Sequence, residues 1–209
     1  MLPVGFGLYL VTDRHATGGR PLADIVEACL AGGLRAVQLR EKDLGAGELF
    51  SLAQALRELT SRYGARLVVN DRVDVALAVD ADGVHLPAAA LPSVVARRLI
   101  GPDRLLGVST HSIREAEAAA GADFVAFGPV YDTPSKRRYG EPQGLVALAE
   151  VCRRAPVPVV AIGGVTAARV PELRAAGAAG IAVIRALLEA EDPARATKAL
   201  LDAWEATRP

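Results

Sequence analysis

Residues 37–42 read Val37-Gln-Leu-Arg-Glu-Lys42, an apolar run that ends in amide and charged side chains. Because alternate residues of a β-strand share a face, Gln38, Arg40 and Lys42 are predicted to point to one side of a buried strand. Polar groups on a buried face cost free energy unless something pairs with them, and two cations beside an amide suit a phosphate or a diphosphate. The alternatives are an edge strand with a solvated face and an internal salt bridge through Glu41, and this stretch alone leaves them open.

Short runs of this kind alternate along the chain with segments rich in Ala, Leu, Arg and Glu. The runs themselves are rich in Val, Ile and Leu, as strands buried in a parallel sheet are. The predicted strands are Gly7–Val11, Ala36–Arg40, Arg66–Asn70, Gly83–Leu86, Leu105–Ser109, Phe124–Gly128, Val157–Ile162 and Gly180–Ile184. The predicted helices include Pro21–Ala31, Gly47–Arg62, Ser112–Ala120, Leu145–Arg154 and Pro193–Thr207.

This alternation predicts the fold. Strand and helix patterns repeated in this way within 209 residues favour an α/β fold in which a single (β/α)8 TIM barrel spans residues 1–209 as one domain. The main competitor is an open doubly wound sheet, which would place a Gly-rich phosphate loop after the first strand. Thr12-Asp13-Arg14 follows the first predicted strand instead, so the barrel is the predicted architecture.

The composition excludes several classes of protein. Apolar residues make up 51% of the chain, enough for a large core, and Lys+Arg and Asp+Glu balance at 24 each. This balance lacks the basic surface of a nucleic-acid binder, so an anionic ligand would need a local site. No apolar run approaches the roughly 20 residues of a membrane span. Cys29 and Cys152 lie far apart and form no metal-spaced motif, so we expect free, buried thiols in a cytoplasmic protein.

Polar residues collect where the predicted strands end. The active site of a barrel forms at the carboxyl ends of its strands, so these residues are predicted to share one rim. Besides the 37–42 cluster, the polar residues are Asn70, Asp71, His85, Ser109, His111, Thr133, Ser135, Lys136 and Arg185, and Gly163, Gly164 and Ile184 are predicted to lie at the same rim. Of these, His85 alternates within a strand and is a candidate for a hydrogen-bonded core residue.

Some of these positions suggest specific chemistry, each with a plainer alternative. Gly163 and Gly164 would expose backbone N–H groups to an anion and, with a helix start near Arg185, predict a phosphate site; the alternative is a tight turn. Asp71 predicts a Mg²⁺ ligand beside a bound diphosphate, or else a helix N-cap. His111 predicts a proton shuttle, or else a capping or backbone hydrogen bond.

A series of segments runs in order along nearly the whole chain. They are Tyr9-Leu-Val-Thr-Asp13, Val37-Gln-Leu-Arg-Glu-Lys42, Asn70-Asp-Arg-Val-Asp-Val-Ala-Leu-Ala78, Ala81-Asp-Gly-Val-His-Leu86, Gly107-Val-Ser-Thr-His-Ser112, Gly128-Pro-Val-Tyr-Asp-Thr-Pro-Ser-Lys136 and Ala161-Ile-Gly-Gly-Val165. Each segment is weak evidence alone, but together they resemble the thiamine phosphate synthase superfamily. The resemblance implies a (β/α)8 barrel, in agreement with the alternation of strands and helices, and one of two activities.

The first activity is that of the synthase, which joins a hydroxymethylpyrimidine diphosphate to a thiazole phosphate, releases diphosphate and uses Mg²⁺. The resemblance places the first metal carboxylate at Asp71. It places the diphosphate ligands at Gln38, Arg40, Lys42, Asn70, Ser109 and Lys136, and hydroxyls near the thiazole phosphate and the diphosphate at Thr133 and Ser135.

The segment after the fourth strand departs from the synthase pattern. Where the synthase has a Gln and a second metal carboxylate, this chain has Ala88 and Ala90, and the loss of one of two carboxylates should weaken a Mg²⁺ site. The His85-Leu-Pro start instead resembles the TenI-type branch, thiazole tautomerases that shift a proton on a thiazole carboxylate phosphate without a metal. We therefore expect a TenI-type tautomerase with His111 and Lys42 as catalytic groups and with no cofactor.

The tautomerase is thus the leading hypothesis, and two alternatives stay open. In the tautomerase, the substrate phosphate would be held by Gly163, Gly164, Ile184 and Arg185. The substrate carboxylate would be held by three cations, Arg40, Lys42 and Lys136. The first alternative is a Mg²⁺-dependent thiamine phosphate synthase, and the second is a non-catalytic relative that binds a phosphorylated ligand and regulates. The expected partner is a small phosphorylated thiazole, with no nucleic acid and no membrane, and a homodimer is the assembly considered.

Overall fold

A computed structural model of the chain describes residues 5–133 and 141–207. Within them, parallel strands close into a barrel in chain order. The strands are β1 Leu8–Val11, β2 Ala36–Leu39, β3 Arg66–Asn70, β4 Gly83–Leu86, β5 Leu105–Thr110, β6 Phe124–Phe127, β7 Val159–Ile162 and β8 Gly180–Val183. The predicted (β/α)8 barrel is confirmed, and the open sheet is excluded because β8 pairs with β1 and leaves no edge.

Helices follow the strands and pack on the outside of the barrel. They are α1 Leu22–Ala31, α2 Ala46–Arg62, α3 Val73–Ala78, α4 Ser93–Ile100, α5 Ile113–Glu117, α6 Gly144–Arg154, α7 Val170–Ala175, α8 Arg185–Leu188 and α9 Pro193–Glu205. The predicted helix bounds agree closely with these, except that the helix predicted over 112–120 ends at Glu117. The chain then turns through Gly121, whose φ of 79° lies in the left-handed region that favours glycine and does not continue a helix.

Alternate residues of each strand face the interior of the barrel. Tyr9, Val68 and Phe124 come from three different strands and pack in one buried cluster with Ala36, which requires all of them to point inward. Residues of the opposite parity pack with the helices instead; they include Leu8, Leu10, Val37 and Leu39. Gln38 has the parity of Ala36 and is 3% exposed. The alternation predicted for this stretch is therefore confirmed for residues 37–39, whereas β2 ends at Leu39 and the common face predicted for Arg40 and Lys42 stays a prediction.

The amino ends of two strands are held by carboxylates at the far end of the barrel. Asp82, just before β4, accepts a hydrogen bond from the Leu67 backbone N–H at 2.7 Å and forms an ion pair with Arg57 at 2.5 Å. Asp123, just before β6, has an equivalent ion pair with Arg97 at 2.6 Å. These acids belong to the end of the barrel opposite the predicted site, where they join a helix to the start of a strand.

The two cysteines carry no bond to each other or to a metal. Both are free, as predicted; Cys29 is buried, but Cys152 is only partly buried. Burial raises the pKa of each thiol to about 11, so neither is a reactive thiolate near neutral pH. In the part of the chain that the structure describes, no helix has the length and apolar character needed to cross a membrane.

Candidate active site

Gln38 lies inside the barrel, where its amide is already engaged. Its Nε2 donates to the Tyr9 hydroxyl at 3.0 Å. Burial raises the pKa of Tyr9 above its usual range, so the hydroxyl stays neutral. The pair satisfies two polar groups in the barrel interior, and the part predicted for Gln38 in binding an anion stays a prediction.

Arg40 brings a positive charge to the end of β2, and no described residue forms an ion pair with it. Its backbone N–H donates to Thr12 Oγ1 at 2.8 Å, which fixes the end of β2 against the end of β1. The guanidinium is part of a half-buried residue and forms no ion pair within residues 5–133 and 141–207. It also lies close enough to His85 to lower the pKa of that imidazole. A partly desolvated guanidinium with no carboxylate partner favours an anionic ligand.

Glu41 lies between the two predicted cationic ligands but pairs with neither. Its side chain is 1% exposed and forms an ion pair with Arg14 at 3.3 Å. It also accepts hydrogen bonds from Thr12 Oγ1 at 2.7 Å and from the Arg14 backbone N–H at 3.1 Å. Arg14 in turn binds Asp43 through two contacts of 2.5 and 2.7 Å. The internal salt bridge considered for residues 37–42 therefore exists, but it leaves Arg40 and Lys42 available.

A cavity of about 290 Å³ opens at the carboxyl ends of β2 and β3. Its polar lining includes Glu41, Lys42, Asn70, Asp71 and Arg72. Lys42 and Asp71 are exposed, whereas Asn70 is half-buried. The cavity thus combines cationic, amide and carboxylate groups, which is the mixture that a metal-bound diphosphate needs. Arg40 lies at the same end of β2 but is not among the residues that line this cavity.

Asp71 is not a helix cap. The residue that precedes α3 is Arg72, and no side chain caps that helix. Asp71 itself adopts a φ of 65°, an uncommon conformation for a residue with a side chain, and its backbone N–H donates to the His85 carbonyl at 2.9 Å. This turn points Asp71 out of the strand at its end, so the capping alternative is wrong.

The site can accommodate Mg²⁺ only in company with a ligand. Within the described ranges, no group of three or more His, Cys, Asp and Glu side chains is arranged around a metal position, and Ala90 contributes no donor. Asp71 and the Asn70 amide oxygen remain as protein ligands at the cavity. Because Mg²⁺ is commonly held by one or two carboxylates together with substrate phosphates and water, these residues fit an ion that arrives with a diphosphate.

His85 and Ser109 form a pair inside the barrel at the ends of β4 and β5. His85 Nε2 lies 3.0 Å from Ser109 Oγ, and His85 is 2% exposed. Burial, assisted by the charge of Arg40, lowers the pKa of His85 to about 3. The imidazole is therefore neutral near pH 7, and its prediction as a hydrogen-bonded core residue agrees with these contacts.

His111 lies at the rim with its ring turned to the backbone. Its Nδ1 is 2.6 Å from the Gly128 carbonyl oxygen, and its backbone N–H donates to Glu115 Oε2 at 2.6 Å. The cap of α5 is Ser112, whose hydroxyl accepts from the Glu115 N–H. The ring therefore makes the backbone hydrogen bond that was the alternative to a proton shuttle, with Nδ1 as the donor.

Gly163 and Gly164 form a turn that no other residue could make. Their φ angles are 102° and 66°, and a Cβ would lie 2.6 Å from Pro129 Cα at the first and 2.7 Å from Tyr131 Cβ at the second. The tight turn alone explains both glycines, so their part in phosphate binding stays a prediction. Arg185 begins the short α8 and pairs with Glu189 at 3.3 Å.

The loop after β6 is joined to this turn. Tyr131 Oη donates to Glu172 Oε1 at 2.6 Å, and the Arg169 guanidinium lies 4.3 Å from the centre of the Tyr131 ring. Arg169 also donates to the Gly164 carbonyl at 2.6 Å. The start of the loop that carries Thr133 is thereby fixed against β7 and α7.

The predicted site residues can now be placed. The structure brings the side chains of Gln38, Arg40, Asn70, Asp71, Ser109 and His111, the turn of Gly163 and Gly164, and Ile184 to the carboxyl ends of the strands. Thr133 lies at the start of the loop after β6, and Ser135 and Lys136 lie outside the described residues. The sequence analysis did not predict that Thr12 and Arg14 bind Arg40 and Glu41. The position of the Thr12 hydroxyl directly after the first strand, at the same rim as residues 37–42, could have indicated these contacts.

The comparisons with known proteins agree with one another. The family model for "Thiamine monophosphate synthase" matches residues 8–187. A "Putative thiamine-phosphate synthase" of Geobacter sulfurreducens is 56% identical over 96% of this chain and 95% of its own length. The "Thiamine-phosphate synthase" of Roseiflexus castenholzii is 49% identical over 96% of this chain and 89% of its own. The solved "Thiamine phosphate pyrophosphorylase from Pyrococcus furiosus" is 38% identical, covers 97% of both chains and superposes with a TM-score of 0.88.

These comparisons overturn the leading hypothesis from the sequence. The relatives carry the name of the synthase, a transferase, and the solved structure carries the name of a thiamine phosphate pyrophosphorylase; none is named a tautomerase. The expectation of a TenI-type tautomerase, an isomerase, is therefore wrong. It rested on the missing carboxylate at Ala90, but a Mg²⁺ ion that shares its shell with a diphosphate does not require two carboxylates from the protein. The catalytic proton transfer by His111 was part of the tautomerase hypothesis and is no longer expected.

Proposed function

The chain belongs to the thiamine monophosphate synthase family, and on that basis we propose that it is a thiamine-phosphate synthase. Its reaction would join a hydroxymethylpyrimidine diphosphate to a thiazole phosphate. The C–O bond between the pyrimidine methylene carbon and the diphosphate breaks, and the bond electrons leave with the diphosphate. A C–N bond forms between that carbon and the thiazole nitrogen.

The observation that carries the proposal is the cationic end of β2. There Arg40 has no ion pair among the residues that the structure describes, and Lys42 lines a cavity together with Asn70 and Asp71. As the C–O bond breaks, negative charge builds up on the leaving diphosphate, and fixed cations stabilise that charge more than the ground state. Arg40 can bind two phosphate oxygens at once, whereas Lys42 supplies a mobile point charge. Lys136 completes the predicted set from outside the described residues.

We assign Mg²⁺ to Asp71 and Asn70 in this reaction. A bound Mg²⁺ would neutralise part of the charge on the leaving group. The protein's own contribution is to place Asp71 in a left-handed turn at the end of β3 and to keep Arg72 from competing for its carboxylate, because Arg72 forms two hydrogen bonds with Asp74, at 2.8 and 2.5 Å.

We assign the thiazole phosphate to the opposite side of the mouth. The backbone N–H groups of the Gly163–Gly164 turn, Thr133, Ser135, Ile184 and Arg185 are the proposed contacts there. The hydrogen bonds that join Tyr131 and Arg169 to neighbouring loops support this assignment, because they hold the loop after β6 near the glycine turn. The location in the cytoplasm and a homodimeric assembly remain predictions, the latter measurable by light scattering.

The experiment is a direct assay of the purified protein with both substrates, with and without Mg²⁺. We expect thiamine phosphate and diphosphate to form in equal amounts only when Mg²⁺ is present. The Arg40→Ala variant should lose at least about 100-fold in kcat/KM, as when a fixed charge at a transition state is removed. The matched control is Arg153→Ala, which removes an exposed cation on α6 and should keep full activity.

The absence of thiamine phosphate with wild-type protein would refute the proposal. If inorganic diphosphate nevertheless binds to that inactive protein, the alternative of a non-catalytic ligand-binding relative would be favoured.

A further inference from the structure

One atom in the barrel interior has no hydrogen-bond partner. Among the described residues, His85 Nδ1 is buried and unpaired, whereas Nε2 of the same ring lies 3.0 Å from Ser109 Oγ. The space beside Nδ1 is occupied by the backbone of Gly107, where an added Cβ would come within 2.5 Å of Nδ1. The Phe124 ring also packs against His85, with 5.6 Å between the ring centres. Neither a ligand nor a polar group can therefore reach Nδ1.

This asymmetry determines which nitrogen carries the proton. A neutral imidazole has one N–H donor and one bare acceptor nitrogen. A buried N–H group without an acceptor is rarer in proteins than an acceptor without a donor, so the unpaired Nδ1 is the bare nitrogen. The proton then lies on Nε2, and Nε2–H donates to Ser109 Oγ.

The consequence concerns the Ser109 hydroxyl. A hydroxyl has one hydrogen to donate and two lone pairs that accept. If His85 fills a lone pair, the hydrogen of Ser109 cannot point to His85, and the structure gives it no other acceptor within residues 5–133 and 141–207. That hydrogen is left for a ligand at the mouth of the barrel.

We propose that His85 is a positioning residue that, by donating Nε2–H to Ser109, directs the Ser109 hydroxyl hydrogen to an oxygen of the bound diphosphate. The inference rests on the proposed function for the identity of the anion. It explains why a histidine occupies a buried position at which it does not exchange protons, since a reversed donor would leave Ser109 only lone pairs to present to an anion.

The first test is spectroscopic and independent of catalysis. Long-range ¹H–¹⁵N NMR correlation of the labelled protein at pH 7 distinguishes the two tautomers, and the His85 signals are identified by their loss in His85→Gln. We expect a protonated Nε2 and a bare Nδ1. A proton on Nδ1 would overturn the inference, because Ser109 would then donate to His85.

The second test compares variants by the binding of inorganic diphosphate with Mg²⁺, measured by calorimetry. Ser109→Ala should weaken binding on the order of 10- to 100-fold, the range for a hydrogen bond to a charged group. His85→Leu should weaken it similarly, and the double variant should be little worse than either one. His85→Gln keeps an N–H donor and should bind diphosphate much better than His85→Leu.

Additive losses in the double variant, or equal losses in His85→Gln and His85→Leu, would overturn the inference. If His85→Leu does not fold, the comparison of His85→Gln with Ser109→Ala still decides, because only the second variant removes the hydroxyl. A wild-type protein that binds diphosphate with this pattern but makes no thiamine phosphate would refute the proposed function and leave the positioning role standing.

Discussion

At the scale of the residue, His85 shows how burial determines chemistry. Its ring is enclosed by Tyr9, Gly107 and Phe124, and the charge of Arg40 lies nearby. Both conditions disfavour the imidazolium, with burial the larger cause. A histidine that would exchange protons near neutral pH in water is thereby kept as a neutral donor.

A pH dependence of stability follows from this burial. The pKa of His85 falls to about 3 from its usual value of 6.5, so between these values the unfolded chain binds a proton that the folded chain does not. The contribution of His85 to the free energy of unfolding is complete above pH 6.5 and falls as the pH is lowered, by at most about 1.4 kcal/mol per pH unit. We expect denaturant titrations of wild type and His85→Gln from pH 7.5 to pH 5 to show the steeper loss in wild type. Parallel curves would contradict the lowered pKa.

A second prediction at this scale concerns Gly107. An added Cβ there would lie 2.4 Å from Phe124 Cζ and 2.5 Å from His85 Nδ1. Gly107→Ala should therefore destabilise the protein by about 1–3 kcal/mol, as overpacking does. Gly47 is the control, because it lies in α2 with no atom within 4 Å of its added Cβ, and Gly47→Ala should stabilise by about 0.5–1 kcal/mol. Thermal unfolding measures both, and equal effects at the two positions would refute the packing argument.

At the scale of the element, the ends of β1 and β2 are joined by Thr12. Its hydroxyl accepts from the Arg40 N–H at 2.8 Å and donates to Glu41 at 2.7 Å. Glu41 also binds Arg14, which belongs to the loop after β1. The position of Arg40 in the proposed site therefore depends on the Thr12 hydroxyl and on the buried carboxylate of Glu41.

Thr12→Val tests this connection because the side chain keeps its shape and loses its hydroxyl. It leaves the Arg40 N–H without its acceptor and removes one of the hydrogen bonds to Glu41, which keeps those from Arg14, so we expect a loss of about 1–3 kcal/mol in the free energy of unfolding. The KM for the pyrimidine diphosphate should rise, since Arg40 is less firmly held. Thr12→Ser keeps the hydroxyl and should retain the KM of wild type. If the Val and Ser variants have the same KM, Thr12 does not position Arg40.

At the scale of the whole molecule, the carboxylates that stabilise the barrel lie at the end opposite the proposed active site. Asp82 and Asp123, just before β4 and β6, bind the amino ends of β3 and β5 and form ion pairs with helix arginines, whereas Asp71 directly follows the carboxyl end of β3. Parallel strands of one barrel point the same way, so acids on opposite sides of the strands reach opposite ends of the molecule. Carboxylates that each lie next to a strand consequently serve different purposes, according to the end of the strand at which they lie.

Two substitutions should show opposite effects. Asp82→Ala removes the acceptor of the Leu67 N–H and the ion-pair partner of Arg57. Because this site is partly exposed, we expect a loss of only about 1–2 kcal/mol in the free energy of unfolding. We expect kcat/KM to be unchanged. Asp71→Asn keeps a residue that tolerates the left-handed conformation and should keep its stability, while its Mg²⁺-dependent activity falls by at least about 10-fold. Activity lost in Asp82→Ala and retained in Asp71→Asn would contradict the assignment of the two ends.

The sequence alone determined the fold and most of the rim. Short runs of Val, Ile and Leu alternating with amphipathic segments are local patterns, and parallel strands that close in chain order bring their ends together without further information. This is why the bounds of the strands and the inward face of Gln38 could be predicted. It is also why Asn70 and Ser109 could be placed at the carboxyl ends before any coordinates were known.

Only the tertiary structure decided which polar groups are already satisfied. Glu41, Arg40 and Lys42 are neighbours in sequence, but Glu41 pairs with Arg14 from the loop after β1 and with neither of the two cations. Likewise, His85 is neutral because Gly107 and Phe124 pack around its ring. Asp71 does not cap α3, because the chain adopts a left-handed turn at that residue. Ion pairs, desolvation and backbone turns depend on residues far apart in the chain, and a local pattern does not contain those distances.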